Sequence, residues 1–398
     1  VQPTVFNYFH LPTVAAADVF CRKGDSGLVV LDGLFPGEKA GCLVGFDPVS
    51  ELRGHLGYPK DLAILDEALR KGRQSHPQGG LAGAIAYDGQ YWFGYYQEFY
   101  QVQNLLPPAS LASQGLANSD SYRLSLRPEL SRERFLHLVD KVHTFIRSGD
   151  IYQACLTYGL SGSFTGDAWS LYLDLKRASP APFSAWINTG EVQLLSSSPE
   201  LFLAMSGRQV TTRPIKGTRP RPAMGEEAKI RRELLASEKE RAELLMITDL
   251  ERNDLGKICE VGSINVPQLF AVEEFAQVFH MVSTVQGTLR QDISHPAALA
   301  ACFPGGSISG APKKRAMQIL KELEGVPRGY YTGALGWIAF SGKSLFNIAI
   351  RTLELREGGA RFGTGAGIVA DSSPSLEWEE TLAKAGGILG LCGDRAFQ

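Results

Sequence analysis

Residues 183–215 constrain the fold more than any other stretch of this chain. Strand-like runs at 183–188, 192–197, 200–205 and 209–215 are separated by Thr189-Gly190, by Ser198-Pro199 and by Ser206-Gly207. Each run has strand length, and a two-residue glycine turn joins only antiparallel neighbours, because a parallel crossover needs a dozen or more residues. The segment is expected to form an antiparallel meander rather than βαβ units.

The rest of the chain continues in the same manner. Strand patterns recur at 28–31, 42–46, 80–87, 278–289 and 335–355. Helical spacing is read at 61–69, from Ser131 to the stop at Gly149, and at 228–250, 312–323 and 377–389. Antiparallel strands interspersed with helices indicate an α+β fold. The aromatic cluster Tyr91, Trp92, Phe93, Tyr95 and Tyr96 is expected in the core. Residues 105–121, rich in Pro, Ser, Ala and Asn, are the linker candidate. They would separate an N-terminal α+β region, 1–120, from a larger catalytic region, 121–398, with one interleaved fold as the alternative to two domains.

Composition narrows the class of partner. A formal net charge of −2 with no Lys/Arg block argues against nucleic acid or an anionic membrane surface. No apolar run reaches membrane-spanning length, and the N-terminus lacks the basic and apolar regions of a secretory signal. Six scattered cysteines without CxxC or zinc spacing suit free thiols in a reducing compartment. A cytoplasmic protein is expected.

Candidate chemistry centres on Lys216 in Arg213-Pro214-Ile215-Lys216-Gly217-Thr218-Arg219-Pro220-Arg221. It follows a strand pattern and precedes a turn, so it is expected at a strand end. Arginines 213, 219 and 221 would lower its pKa if they lie close, making it a candidate nucleophile; a surface lysine in a basic turn fits the same residues. Glu200 begins the strand run before it and is either a general acid at the same sheet end or a surface carboxylate. Glu240/Glu243 and Glu377/Glu380 are i, i+3 pairs, each on one helix face. They suit either a hard divalent cation with oxygen ligands or solvated surface glutamates. Lys384, one turn after Glu380, would pair with it or reach a substrate carboxylate. His280 lies in a strand pattern, as a ligand-facing or a core histidine. Two glycine tracts complete the set. Ser309 in 304–313 is a possible helix N-cap, and Gly363-Thr364-Gly365-Ala366-Gly367 would let a ligand approach the backbone.

These stretches together resemble the chorismate-binding enzymes, which include anthranilate, aminodeoxychorismate, isochorismate and salicylate synthases. The resemblance spans about residues 130–390 and rests on Ser-Ser-Pro-Glu-Leu-Phe, Pro-Ile-Lys-Gly-Thr-Arg, Asp-Leu-Glu-Arg-Asn-Asp-Leu-Gly, Ser-Gly-Ala-Pro-Lys and Gly-Ala-Gly-Ile-Val-Ala-Asp. It implies a large antiparallel two-sheet sandwich flanked by helices, and Mg²⁺ bound by Glu243 and Glu380, with Glu240 and Glu377 on metal-bound waters. It further implies that Gly365, Ala366, Gly367 and Lys384 orient the ring carboxylate of chorismate. Tyr331 and Arg351 would bind the enolpyruvyl carboxylate, and Thr218 and His280 would line the ring. Water-adding members carry a lysine where this chain has Gln153, and a glutamine is no base. Lys216 resembles the aminodeoxychorismate-forming members. In that chemistry the lysine attacks C2 while Glu200 protonates the departing C4 hydroxyl, and ammonia from a glutamine amidotransferase subunit then displaces the lysine. Anthranilate formation, and a silent subunit that only binds the amidotransferase, are the competing expectations.

Overall fold

The computed structural model describes residues 11–32, 41–102, 121–220, 226–274 and 278–393. Two ten-stranded antiparallel sheets form its centre. In spatial order the first contains β16 (Gly310–Ala311), β8 (Gln153–Gly166), β20 (Gly359–Ile368), β19 (Thr352–Arg356), β10 (Gln193–Ser198), β9 (Phe183–Asn188), β1 (Val29–Asp32), β2 (Cys42–Gly45) and β6 (Tyr100–Val102). A tenth strand, β7 (Tyr122–Pro128), pairs with β8. The second contains β13 (Ile215–Pro220), β15 (Val278–Thr288), β12 (Gln209–Arg213), β11 (Leu201–Ser206), β18 (Lys343–Ile348), β17 (Ala334–Ala339), β4 (Gly80–Ile85), β5 (Gln90–Tyr96) and β3 (Ser50–His55). Here β14 (Asn265–Glu274) pairs with the other edge of β15. Strands that precede residue 121 therefore belong to both sheets.

Strict alternation makes this a sandwich. Val29 and Leu31 of β1, Ala185 and Ile187 of β9, and Leu194 of β10 meet Ala82, Ala84 and Trp92 of the other sheet in one cluster between the layers. Their neighbours Val30, Trp186 and Leu195 point outward into a second cluster, beneath helices. A period of two sends successive side chains to opposite faces, so strands covered on both sides are apolar at almost every position.

Among the described residues the helices are α1 (Ala16–Cys21), α2 (Pro59–Ser75), α3 (Arg132–Arg147), α4 (Ala168–Ala178), α5 (Glu227–Ala236), α6 (Glu238–Gly256), α7 (His295–Cys302), α8 (Lys313–Glu324) and α9 (Pro374–Leu389). Phe135 of α3, Trp169 of α4, Ile319 of α8 and Trp378 of α9 cover the first sheet. Leu65 of α2, Leu255 of α6 and Leu299 of α7 cover the second. Among the described residues no helix is long and apolar enough to cross a membrane.

The structure differs from the sequence reading in several places. The single helix expected at 228–250 is two, because Ser237 leaves the helical conformation and its side chain caps α6 by accepting the Glu240 N–H. Nor is 183–215 one meander: β9 and β10 pair in the first sheet and β11 and β12 in the second, so the chain crosses between sheets at Pro199–Glu200. The glycine tract lies inside β20. Ser309 is no N-cap: its hydroxyl donates to the Gly305 carbonyl, and α8 starts after Pro312. The 105–121 stretch falls outside the described residues except for Ser121.

Candidate active site

The site forms where β20 runs bare. Gly363, Gly365 and Gly367 alternate with Thr364 and Ala366, so one face of the strand carries three glycines in succession while Ala366 packs into the outer core. Their partners on β8 are Gly159, Thr157 and Cys155. The β19 ladder ends at the pair Leu353↔Phe362, which leaves one backbone edge of 363–368 without a strand partner among the described residues. A Cβ on Gly363 would lie 2.1 Å from the Tyr331 ring. One on Gly367 would lie 2.8 Å from Gln153 Nε2 and 3.3 Å from Lys216 Nζ. The bare face is thus bounded by Tyr331 at one end and by Gln153 and Lys216 at the other. Gln153 is only 1% exposed, and its Nε2 has no hydrogen-bond partner.

Lys216 is not at a strand end. β12 and β13 pair with one edge of β15 in continuous register, from Gln209↔Thr288 to Lys216↔Met281. Pro214 interrupts the line only briefly, since its carbonyl still accepts the Ser283 N–H at 3.1 Å. The register slips at Gly217, whose φ of 65° is the left-handed conformation that glycine tolerates. The bulge re-aims the chain next to the lysine, where Lys216 Nζ lies 3.3 Å from Glu243 Oε2.

The arginines do not depress its pKa. Arg213 is paired with Glu273 and Arg219 with Glu240, while Arg221 lies outside the described residues. Burial pulls the Lys216 ammonium down, but Glu243, Cys155 and Glu380 outweigh it and raise the pKa.

Glu200 precedes β11, whose Leu201 pairs with Arg213, and its carboxyl interacts with the backbone of Ile215, the residue before Lys216. Burial pushes it up to about 7, against the pull of the Ser307 hydroxyl and the Lys216 charge. His280 is buried on β15 opposite Thr218; the described contacts do not include the Thr218 side chain. Burial and nearby Arg351 push the imidazole down to about 4, against a backbone hydrogen bond with Gly217. Arg351 has φ 52°, a conformation that arginine rarely adopts and that tends to persist where the surroundings enforce it. Its guanidinium donates to Ser179 Oγ at 3.2 Å. Tyr331 is buried, which raises its phenol pKa.

The two acidic helices face each other. Lys239 Nζ lies 3.9 Å from a carboxylate oxygen of Glu243 on α6 and 3.9 Å from one of Glu377 on α9. Glu240 is 3.3 Å from Arg219, Glu377 accepts from Ser372 Oγ at 2.7 Å, and Lys384 bridges Glu380 at 2.6 Å and the Gly365 carbonyl at 3.0 Å. Burial, with Glu380 nearby, raises the Glu377 pKa. For Glu380 the lysines outweigh burial and lower it. Among the described residues no three His, Cys, Asp or Glu side chains converge as a ready metal cage. Magnesium does not require one: it keeps several waters and takes one or two protein carboxylates plus substrate oxygens. One carboxylate from each helix, Glu243 and Glu377, already shares the Lys239 ammonium, and an all-carboxylate set of this kind suits such an ion.

The structure therefore gathers Lys216, Glu200, His280, Gly367 and the facing glutamate pairs about one end of the sandwich. It adds two groups that the sequence reading passed over. Buried Glu251 continues the face of α6 that bears Glu240 and Glu243, a spacing visible in the sequence. Buried Arg328, bonded to Glu324 and to the carbonyls of Ile308 and Cys155, has no such signal.

Residues 48–390 match the sequence pattern of the chorismate binding enzyme family. The chain is 46% identical to the aminodeoxychorismate synthase of Streptomyces griseus over 67% of its length, a match that spans 37% of that longer protein. It is 44% identical to aminodeoxychorismate synthase component 1 of Klebsiella aerogenes over 66% of its length and 58% of the relative's. It is 39% identical to anthranilate synthase component 1 of Saccharolobus solfataricus over 85% of its length and 84% of the relative's. The structure of anthranilate synthase component I from Streptococcus pneumoniae superposes with a TM-score of 0.74 at 27% identity, covering 96% of this chain and 99% of that one. With the pattern spanning most of the chain and the two-sheet fold shared throughout, this protein is a member of the chorismate binding enzyme family.

Proposed function

We propose that this chain converts chorismate and ammonia to 4-amino-4-deoxychorismate, with Lys216 as a covalent nucleophile. The observation that carries this reading is the convergence of the Lys216 amine and the protonatable Glu200 carboxyl at the Gly367 end of the bare strand. A site that only bound an amidotransferase has no use for that pairing.

In the proposed sequence the Lys216 ammonium, which Glu243 and Glu380 hold protonated, first gives a proton to solvent; the free amine then attacks C2 of chorismate, both ring double bonds shift by one position, and the C4–O bond breaks. Glu200 gives its proton to the departing hydroxyl, which leaves as water, and the nitrogen bound to C2 loses a proton. Ammonia then bonds to C4, both double bonds return to their original positions, and the C2–N bond breaks with a proton passing from the new amine to the lysine. The overall change replaces hydroxyl by amine and releases one water. Gln153, which cannot take a proton from water, keeps water from competing as the nucleophile.

The unpaired backbone edge of 363–368 offers donors to the ring carboxylate, and bare glycines let the ring lie against the strand. Tyr331 and Arg351 are assigned to the enolpyruvyl carboxylate. His280, neutral near pH 7, lines the ring with Thr218. Glu243 and Glu380, with Glu240 and Glu377 on bound waters, would hold Mg²⁺, which supplies positive charge for the substrate carboxylate. The component 1 naming of relatives supports ammonia supply by a separate glutamine amidotransferase subunit.

Intact-mass spectrometry with chorismate and Mg²⁺, ammonium omitted, tests the nucleophile. An adduct mapped to Lys216 and lost in Lys216→Ala is expected, and an adduct that persists in the variant refutes it. The extent of the Saccharolobus match favours anthranilate formation as the second reading. It predicts amination at C2 with loss of pyruvate and needs no lysine adduct.

A further inference from the structure

Beyond its metal-facing glutamates, α6 carries two more buried acids, Glu251 and Asp254. Asp254 is matched by cations, pairing with Lys257 at 2.6 Å and with Lys313. Glu251, 2% exposed, is not so matched. Its Oε1 accepts the Gly306 N–H at 2.9 Å, and its Oε2 faces the Thr212 hydroxyl at 3.5 Å.

The turn it holds is fixed on every side. Lys313 donates to the carbonyls of Cys302 at 2.8 Å and Pro304 at 2.6 Å, and Ser309 donates to that of Gly305 at 2.8 Å. A Cβ on Gly306 would lie 2.8 Å from Glu251 Oε1, and one on Gly305 would lie 2.7 Å from Ile348 Cδ1. Ile348 in turn donates its N–H to the Glu200 carbonyl at 3.0 Å. The turn is thus wedged between Glu251 and the strand end that bears Glu200. The next residue, Ser307, has a buried hydroxyl close enough to the Glu200 carboxyl to draw its pKa down.

We propose that Glu251 is a positioning residue for Glu200: it holds the Gly305–Ser307 turn against that carboxyl and, through its own charge, sets how firmly Glu200 keeps its proton. The inference rests on the reading of Glu200 as the acid. Lys313 from α8, Asp254 from α6 and Glu200 act on Glu251, whose carboxyl burial pushes up to about 7. Lys216 from β13 and Lys384 from α9 act on Glu200 from its other sides. The Glu200 charge raises the Glu251 pKa, and two carboxyls buried against one turn resist being ionised together.

Difference infrared spectroscopy against pH on the full chain reads protonated carboxyls directly, with Glu200→Gln and Glu251→Gln assigning the two bands. Glutamine at 251 keeps an acceptor for the Gly306 N–H but carries no charge. In Glu251→Gln the Glu200 midpoint is expected to fall by about half a unit or more. The upper limb of kcat in ammonium-driven turnover moves with it, while KM changes less than about two-fold. Glu251→Ala, which also frees the turn, lowers kcat by a further factor of about ten. An unmoved Glu200 midpoint in a folded Glu251→Gln overturns the inference, as does equal loss in both variants with the limb in place. Should Glu200→Gln keep the wild-type limb, the acid assignment fails instead, and the infrared midpoint still decides whether Glu251 acts on Glu200.

Discussion

Replacing Gly367 by alanine separates catalytic geometry from folding. The added methyl would lie 2.8 Å from Gln153 Nε2 and 3.3 Å from Lys216 Nζ, both ends of flexible side chains. The Gln153 amide nitrogen can move without breaking a hydrogen bond, since it makes none. Overpacking therefore costs near its lower bound of about 1 kcal/mol, and the reduced freedom of the unfolded chain returns about 0.4–1 kcal/mol. Little change in Tm is expected. The ammonium must nonetheless give way by several tenths of an ångström, and a shift of about 1 Å at a reacting atom costs roughly 100-fold, or about 2.7 kcal/mol of barrier. Gly365→Ala is the contrast. Its methyl would meet the Leu156 carbonyl at 2.6 Å and Thr157 Cα at 3.0 Å, backbone that cannot step aside, so stability falls by about 3 kcal/mol. Chorismate consumption with saturating ammonium and Mg²⁺, beside thermal melts of both variants, checks the pair. Wild-type kcat in Gly367→Ala, or a Tm loss equal to that of Gly365→Ala, would refute the reasoning.

Three further outcomes follow from the buried charges. Glu200 and Glu251 have folded pKa values raised from 4.5 to about 7, so their contribution to stability is complete below the unfolded value and is lost as pH rises through about 7. Between about pH 4.5 and 7 the wild type should lose on the order of 3 kcal/mol per carboxyl relative to a Glu200→Gln/Glu251→Gln double variant, read by denaturant melts at each pH; parallel curves would contradict this. Arg328→Met leaves Glu324 and the carbonyls of Ile308 and Cys155 without their donor, and should cost about 3–5 kcal/mol in urea unfolding. His280 is neutral near pH 7, so His280→Gln should retain more activity than His280→Lys, which forces a charge beside Arg351; the reverse order in kcat would rule out a neutral ring.

The strands of 183–215 and its two tight-turned hairpins were legible because turns and alternation are local, but the single meander was not: the chain changes sheets between β10 and β11, a choice made by distant partners β19 and β18. The 14-residue β8 was not read as a strand, since its apolar half packs on both faces and its Ser- and Gly-rich half resembles a loop. Ser237 hid inside an apparently continuous helical pattern, because a cap and a mid-helix serine look alike without the chain direction around them. At the site, residue types and spacings marked Lys216, Glu200 and both acid pairs. What they could not supply was the company each keeps. The arginines that seemed set to depress the lysine are taken up by Glu273 and Glu240, contacts distant in sequence. The glycine tract was visible as an approach to backbone, but only the parity of β20 explains why three glycines alternate with Thr364 and Ala366.

Product identity tests the central claim most directly. Wild-type protein incubated with chorismate, Mg²⁺ and ammonium, its products separated by mass and coupled to a lyase that releases 4-aminobenzoate, should give 4-amino-4-deoxychorismate. Accumulation of fluorescent anthranilate with release of pyruvate would contradict the account, and would move the nitrogen from C4 to C2 and Lys216 out of the nucleophile's role.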